Sequence, residues 1–426
     1  MKNRMRYLIV LFTVLLITAC STEIPSLNSQ TESLTKEVPG IESTTTTTFG
    51  QSITGTVVNN EKDGIPGVKE TKIIDIKDLI DLDNSVGSPA IDSFSGFSDL
   101  YKPAGYSPIN GSDEILVLNP SSAGSSLGLL NIKTSDIKII VEGEQGYSYM
   151  YSGSDNRYII AYKYSLDINA YPVPIMYIIY DRVSGEMQNI DISDIQKASG
   201  AGYIHSYVSV FDGKIYFEIQ DKGIARNDNG LVIKYGESIY SYDIAGKSLV
   251  KIRDNCSSPT VNKNGLYFKD FGTDGDSGSL YFIEASKMID KNAISKEIVK
   301  NCGEYFIHED KIYHTPDRDN NIVYLYNGET SEFVFSQPEG STAWDYRTNG
   351  RYITASYEKG PIYLYDILKG YIVLLTDSPG GNFSISSDKY IIWYELENIN
   401  PETSVEKGNF IPEYGLHFIE ISSLID

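Results

Sequence analysis

Histidine is nearly missing from this chain: four residues, His205, His308, His314 and His417, among 426. Scattered over separate stretches, they offer no ligand spacing of the kind a multi-histidine metal centre needs. Cysteine is just as scarce. Of three, Cys20 stands in the N-terminal segment, so Cys256 and Cys302 are the one candidate disulfide pair. Basic residues are outnumbered, 36 Lys+Arg against 57 Asp+Glu, and an acidic surface repels polyanions, which argues against nucleic acid as a partner. Long apolar runs are lacking too. The stretch from Tyr7 to Leu16, broken only by Thr13, falls short of the roughly 20 residues of a spanning helix.

That short run has a recognisable setting. Lys2, Arg4 and Arg6 precede it and Ile17-Thr18-Ala19 places small residues before Cys20, which is the pattern of a secretory signal. The segment resembles a bacterial lipobox, with Ile17 where Leu is usual. The resemblance implies that residues 1–19 are removed, that Cys20 carries diacylglycerol and a palmitate-type acyl chain, and that the protein is lipid-anchored to the cell membrane, facing outside the cytoplasm. The plainer alternative is an ordinary signal peptide or an uncleaved anchor. Removal takes away three basic residues and no acidic ones, leaving a formal charge of −24, so attachment falls to acyl chains rather than to a basic patch. Residues 20–69, rich in Ser, Thr, Glu, Pro and Gly with a run of threonine at 44–48, cannot bury enough apolar surface to offset chain entropy and read as a disordered tether. As a coil of about 48 residues it spans roughly 35–40 Å.

Beyond the tether a phrase repeats: MYIIYDRVSGEMQNI at 176–190, IYSYDIAGKSLVKI at 239–252, VYLYNGETSEFVF at 323–335 and IYLYDILKGYIVLL at 362–375. Each copy is an apolar strand, a polar turn and a second strand. A turn followed by an apolar pair recurs around Ile115, Ile159, Tyr216, Tyr267, Tyr313, Ile353 and Ile391, at steps of 44, 57, 51, 46, 40 and 38 residues. Units of 40–50 residues with four short strands are β-propeller blades. The expected fold is therefore all-β, a seven-bladed propeller over 70–426. The segment TKIIDI at 71–76 is expected to pair with the final blade and close the ring; a helix over 71–82 is the competing reading, because IIDIKDLIDL also fits a 3.6-residue period.

The units resemble the TolB-like and WD-type blades of bacterial envelope proteins, on the pattern of a turn, Tyr-Ile, a loop and Leu/Ile-Tyr-x-Tyr-Asp. The likeness is at the level of fold. The Trp-Asp pair of WD repeats is missing from the strand ends where it belongs, since Trp344-Asp345 falls in a first strand, and no subfamily's binding residues carry over.

Strand alternation places the 1–2 and 3–4 turns on one face and the 2–3 and inter-blade connections on the other. The first set is tight, for example Asp212-Gly213, Asn264-Gly265 and Lys369-Gly370. The second is long and irregular, including Tyr164 to Pro174, Gln220 to Ser238 and Glu395 to Gly415, so the binding face is expected there. Binding candidates are Tyr147, Tyr149, His205, Tyr207 and Trp344, aromatic residues of the innermost strands that either stack on a ligand or fill the channel. Calcium is a weak candidate cofactor, with Asp317, Asp319 and Asn321 as oxygen ligands against the alternative of a polar turn. Cys256 and Cys302 occupy equivalent connections of successive blades, where a bond across blades competes with free thiols.

Enzyme-like strings fail on context. Gly124-Ser125-Ser126-Leu127-Gly128 lacks a strand-to-helix elbow, Gly275 to Ser279 lacks a partnering histidine, and Gly246-Lys247-Ser248 lacks the leading glycine of a phosphate loop. The expected function is a non-catalytic binding or scaffold lipoprotein for a protein or glycan partner. The alternative is a carbohydrate-active lyase or glycosidase using carboxylates of the loop-rich face, such as Asp317 or Glu395.

Overall fold

A computed structural model describes residues 72–79, 92–94 and 102–108, and the chain from 112 to 424 with interruptions, the longest at 166–175, 193–207 and 399–412. The signal segment and tether lie outside the described residues. The described part is all-β. Five sheets of four strands and one of nine make a six-bladed propeller arrangement. Blades 1 to 5 cover 102–141, 147–191, 209–254, 256–299 and 302–336, and blade 6 takes the strands from 343 to 420 together with two from the N-terminal side.

This count corrects the expectation of seven blades. The last two repeat units do not form separate sheets. Strand Ile362–Asp366 pairs with Tyr352–Tyr357 only at Tyr352 and Ile353, and further along the same strand Ser356 bridges to Phe383 of the following unit. Both units therefore belong to one nine-stranded blade. The segment expected to pair with the final blade, 71–76, has its strand Ile73–Asp75 in blade 6, parallel along Tyr371–Thr376, and then turns into a short 3-10 helix, Ile76–Leu79. The strand beside Glu413–Glu420 is Asp92–Phe94.

The repeated phrase has a direct structural cause. Its Asp or Asn ends the third strand and folds back onto the turn: Asp181 Oδ1 accepts from the backbone N–H of Val183 at 2.9 Å, Asp243 Oδ1 from Gly246 at 2.6 Å, Asn327 Oδ1 from Thr330 at 2.9 Å and Asp366 Oδ1 from Leu368 at 2.9 Å. These are turns closed by a side chain that mimics the next backbone carbonyl. The strand before each turn is apolar on both faces for a separate reason. In Met176–Asp181, Tyr177 and Ile179 enter the core shared with blade 3, whereas Ile178 and Tyr180 enter the core shared with blade 1. Further cores join blades 3 and 4, and 4 and 5. A large one joins blade 5 to blade 6, and another joins Ile115 and Val117 of blade 1 to Tyr390, Ile392 and Phe418 of blade 6, so every blade has two packed neighbours.

The largest core contains Phe335, 2% exposed, whose ring lies 4.5 Å from that of Tyr365 and nearly parallel to it. Truncation there opens a cavity between two blades. Phe335→Ala is expected to lower stability by about 3–5 kcal/mol, read from urea denaturation; a loss below about 1 kcal/mol would contradict the inter-blade packing.

Candidate functional site

The innermost strands of blades 4, 5 and 6 begin at the end of the ring that carries the inter-blade connections. All three are bulged near their start, with register slips between Ser257 and Thr260, Cys302 and Tyr305, and Trp344 and Arg347. Ser258 and Asp345 take left-handed backbone angles, φ 53° and 52°. In blade 5 the chain passes so close to its neighbour that a Cβ on Gly303 would meet the carbonyl of Pro316 at 2.5 Å.

A carboxylate from the preceding blade seats two of these bulges. Glu218, 2% exposed, accepts from the backbone N–H of Ser258, and Glu304 Oε2 accepts from that of Tyr346 at 3.4 Å. Around Glu304, Asn320 Nδ2 reaches Oε1 at 3.5 Å, the Glu304 N–H donates to Thr315 Oγ1 at 2.8 Å, and Lys269 donates to the Gly303 carbonyl. Tyr346 adds a bond from its hydroxyl to the Asn320 carbonyl at 2.6 Å, while Tyr305 bonds the carbonyls of Ser258 and Tyr267. Burial pushes the Glu304 carboxyl up to about 7, helped by the Asp345 charge and opposed by the Asp345 and Tyr346 amides and by Lys269. Asp345 in turn lies 3.6 Å from Arg347. The result is a carboxyl that exchanges its proton near neutrality beside a second carboxylate.

The aromatic candidates divide. Tyr147 and Trp344 are partly exposed at the starts of inner strands, Tyr147 with the Lys163 ammonium 4.1 Å above its ring. Tyr149 is 2% exposed, belongs to the core between blades 1 and 2 and donates its hydroxyl to the Glu142 carbonyl at 3.4 Å, so its ring is not presented to a ligand. His205 and Tyr207 lie outside the described residues, as do Cys20, Asp317 and Asp319. Asn321 accepts from the Ala343 N–H at 3.4 Å, and no group of three His, Cys, Asp or Glu among the described residues converges as metal ligands. Cys256 and Cys302 form no disulfide and both are buried, and burial raises the Cys256 thiol far above its ordinary range. His314 is buried against Tyr324 and shares a 2.8 Å hydrogen bond with Ser331.

Two connections expected to be long and irregular open from paired strands on the same face, with register shifts along both pairs, and residues 227–231 and 399–412 between them lie outside the described residues. Lys214–Arg226 pairs with Val232–Asp243 as far as Arg226 with Val232, and Tyr390–Asn398 pairs with Glu413–Glu420 as far as Asn398 with Glu413. At the base of the first, Asp221 receives Ser238 Oγ and Tyr240 OH, both at 2.7 Å, and pairs with Lys251. The carboxyls of Glu218 and Glu304 were not among the sequence candidates. Neither sits in a repeated position, and only the bulges bring them to the next blade.

No family model matches the chain, and no curated protein matches it. Among solved structures, an oligogalacturonate lyase from Vibrio parahaemolyticus superposes with a TM-score of 0.52 at 11% identity, over 78% of this chain and 97% of that one. A prolyl endopeptidase gives 0.49 at 12% identity over 76% of this chain, which spans half the length of that enzyme. TolB from Acinetobacter baumannii gives 0.40 at 12% identity over 61% and 62% of the two chains. At such identities the lyase likeness shows the propeller fold alone.

Because the folded-state affinity of Glu304 for its proton exceeds that of the unfolded chain, its contribution to stability is complete below about pH 4.5 and is lost as pH rises through about 7. Glu304→Gln, which keeps the neutral shape, is expected to flatten the fall in stability between pH 5 and 8 by on the order of 2 kcal/mol. Parallel denaturation curves for both proteins across that window would refute the assignment.

Proposed function

We propose that this chain is a lipoprotein, anchored through Cys20 to the outer side of a cytoplasmic membrane or within a periplasm, whose propeller is a non-catalytic binding or scaffold module for a protein or glycan. The observation that carries the reading is the concentration of irregular backbone and projecting strands on one face: three bulged inner strands, the partly exposed Tyr147 and Trp344, and the two extended strand pairs. A rigid ring that gathers its variable parts at one end offers a binding surface without needing a deep pocket.

A second reading, a carbohydrate-active enzyme, is favoured by one observation. Glu304 holds its proton to about 7 beside Asp345 on that same face, which suits a general acid paired with a carboxylate. Of the acids expected from sequence for this role, Asp317 lies outside the described residues, and Glu395 stands in the strand Tyr390–Asn398 opposite Gly415.

Two experiments test the proposal. Cys20→Ala is expected to abolish labelling by a palmitate analogue; labelling that persists would remove the lipid anchor from the account. Crosslinking and pull-down from membranes, read by mass spectrometry, is expected to lose its specific partner, or binding to a glycan array its signal, by roughly tenfold in the Tyr147→Ala, Trp344→Ala double variant. Identical captures by both proteins would reject this face, and turnover of a polysaccharide that is lost in Glu304→Gln would favour the enzyme.

A further inference from the structure

Trp344 adjoins the bulge that Glu304 seats. The register slip between Trp344 and Arg347 leaves Asp345 and Tyr346 out of the ladder, and Asp345 takes φ 52°, a left-handed angle that strains a residue with a Cβ. Such a conformation persists only where its surroundings hold it. Here the hold comes from blade 5. Glu304 Oε2 accepts from the Tyr346 N–H at 3.4 Å, the Tyr346 hydroxyl donates to the Asn320 carbonyl at 2.6 Å, and Asn320 Nδ2 reaches Glu304 Oε1 at 3.5 Å. The bulge is clamped at two points, and one of them is a titratable group. From blade 4, Lys269 gives its hydrogen bond to the Gly303 carbonyl and not to the carboxyl. From blade 6, the Asp345 carboxylate faces Glu304, with Arg347 3.6 Å from Asp345. Thr315 and Asn320 of blade 5 carry no charge, and Asp317 and Asp319 of the same connection lie outside the described residues. Among the described residues no cation forms an ion pair with Glu304, whereas a like charge stands on the bulge it holds.

A neutral carboxyl fits this setting. Desolvation first, and then the Asp345 charge, outweigh the Asp345 and Tyr346 amides and Lys269, so the proton is held up to about 7. An ionised carboxyl is relieved by separating from Asp345 and gaining water, and the bulge is the part that can yield because its pairing is already broken. We propose that Glu304 and the Asp345–Tyr346 bulge form a proton-controlled latch: the neutral carboxyl holds the start of the blade 6 inner strand, and Trp344 with it, in the described conformation, and the ionised carboxyl releases it. The latch regulates the aromatic surface, so its consequence for recognition rests on the binding reading proposed above. A ligand that packs on Trp344 meets an ordered surface on the acid side of neutrality. On the alkaline side the segment has to be ordered again during binding, which weakens affinity.

The chain has two tryptophans, and the other, Trp393, is 2% exposed in the core shared by blades 5 and 6. The difference in emission between the unaltered full chain and Trp344→Phe therefore reports Trp344 with no ligand present. From pH 5 to 8 that emission is expected to move to longer wavelength with a midpoint near 7. In Glu304→Gln it is expected to keep its acid-side value throughout, and in Asp345→Asn, where the like charge is gone, to move at lower pH. Hydrogen exchange of the segment 343–348 at pH 8 is expected to be faster in the unaltered chain than in Glu304→Gln by roughly tenfold. Emission that ignores pH, a transition that survives in Glu304→Gln as a histidine's would, an unmoved midpoint in Asp345→Asn, or equal exchange in the two proteins overturns the latch. Capture by the Tyr147→Ala, Trp344→Ala variant reads the surface separately: captures identical to those of the unaltered chain reject the binding reading and leave the latch standing.

Discussion

Side chains that alternate along one strand and supply two different cores are the constraint on which the molecule depends. Tyr177 and Ile179 face one neighbouring blade, Ile178 and Tyr180 the other. The same division holds at Leu116 against Ile115 and Val117, and at Phe217 against Tyr216. A sheet with two apolar faces is insoluble alone, and only a neighbour on each side satisfies it. The outer strands show the limit of this requirement. Met187–Asp191 and Ser248–Asp254 bury one residue each, Ile190 and Ile252, because an outer strand packs on one side only.

That constraint was readable in the sequence because it writes itself into composition. Runs such as Tyr-Ile-Ile-Tyr and the Asp or Asn that follows them announce a doubly covered strand and a side-chain-closed turn. Blade number was not readable in the same way. The marks at Ile353 and Ile391 are correctly spaced for separate units, yet whether two units share a sheet is decided by a single bridge, Ser356 to Phe383, and no residue type encodes a bridge. The strand at 73–75 was visible as a strand, but its partner was not, since an edge specifies hydrogen-bond donors and acceptors without specifying which edge receives them. The same limit hid Glu218 and Glu304. Their importance comes from backbone bulges one blade away, and a bulge at Ser258 or Asp345 leaves little trace in residue identity.

The two ends of the ring are chemically unlike. At one end, buried carboxyls are spent on holding bulged backbone, so Glu304 is at once a structural ligand of Tyr346 and a group that changes charge near neutrality. Its occupancy by a proton links the geometry of the inner-strand starts to solution conditions. At the other end, carboxylates such as Asp181 and Asp366 are consumed by turn amides, and Arg157 holds Asp181 down to about 2, so that face carries fixed charge. Titrating charge and fixed charge are thereby separated between the two ends of the ring.

Blade 6 contains strands from both extremes of the described chain: Phe94 is registered against Leu416, and Ile73 against Ile372. Contacts of such long range cannot form until nearly all of the polypeptide has emerged from the machinery that makes or moves it. Blades 1 to 5 are each assembled from contiguous sequence, but the first of them has one flank uncovered until the last strand arrives. A chain halted midway would therefore show an apolar wall to its surroundings, and the final residues act as the latch that turns a partly folded, sticky arc into a finished molecule.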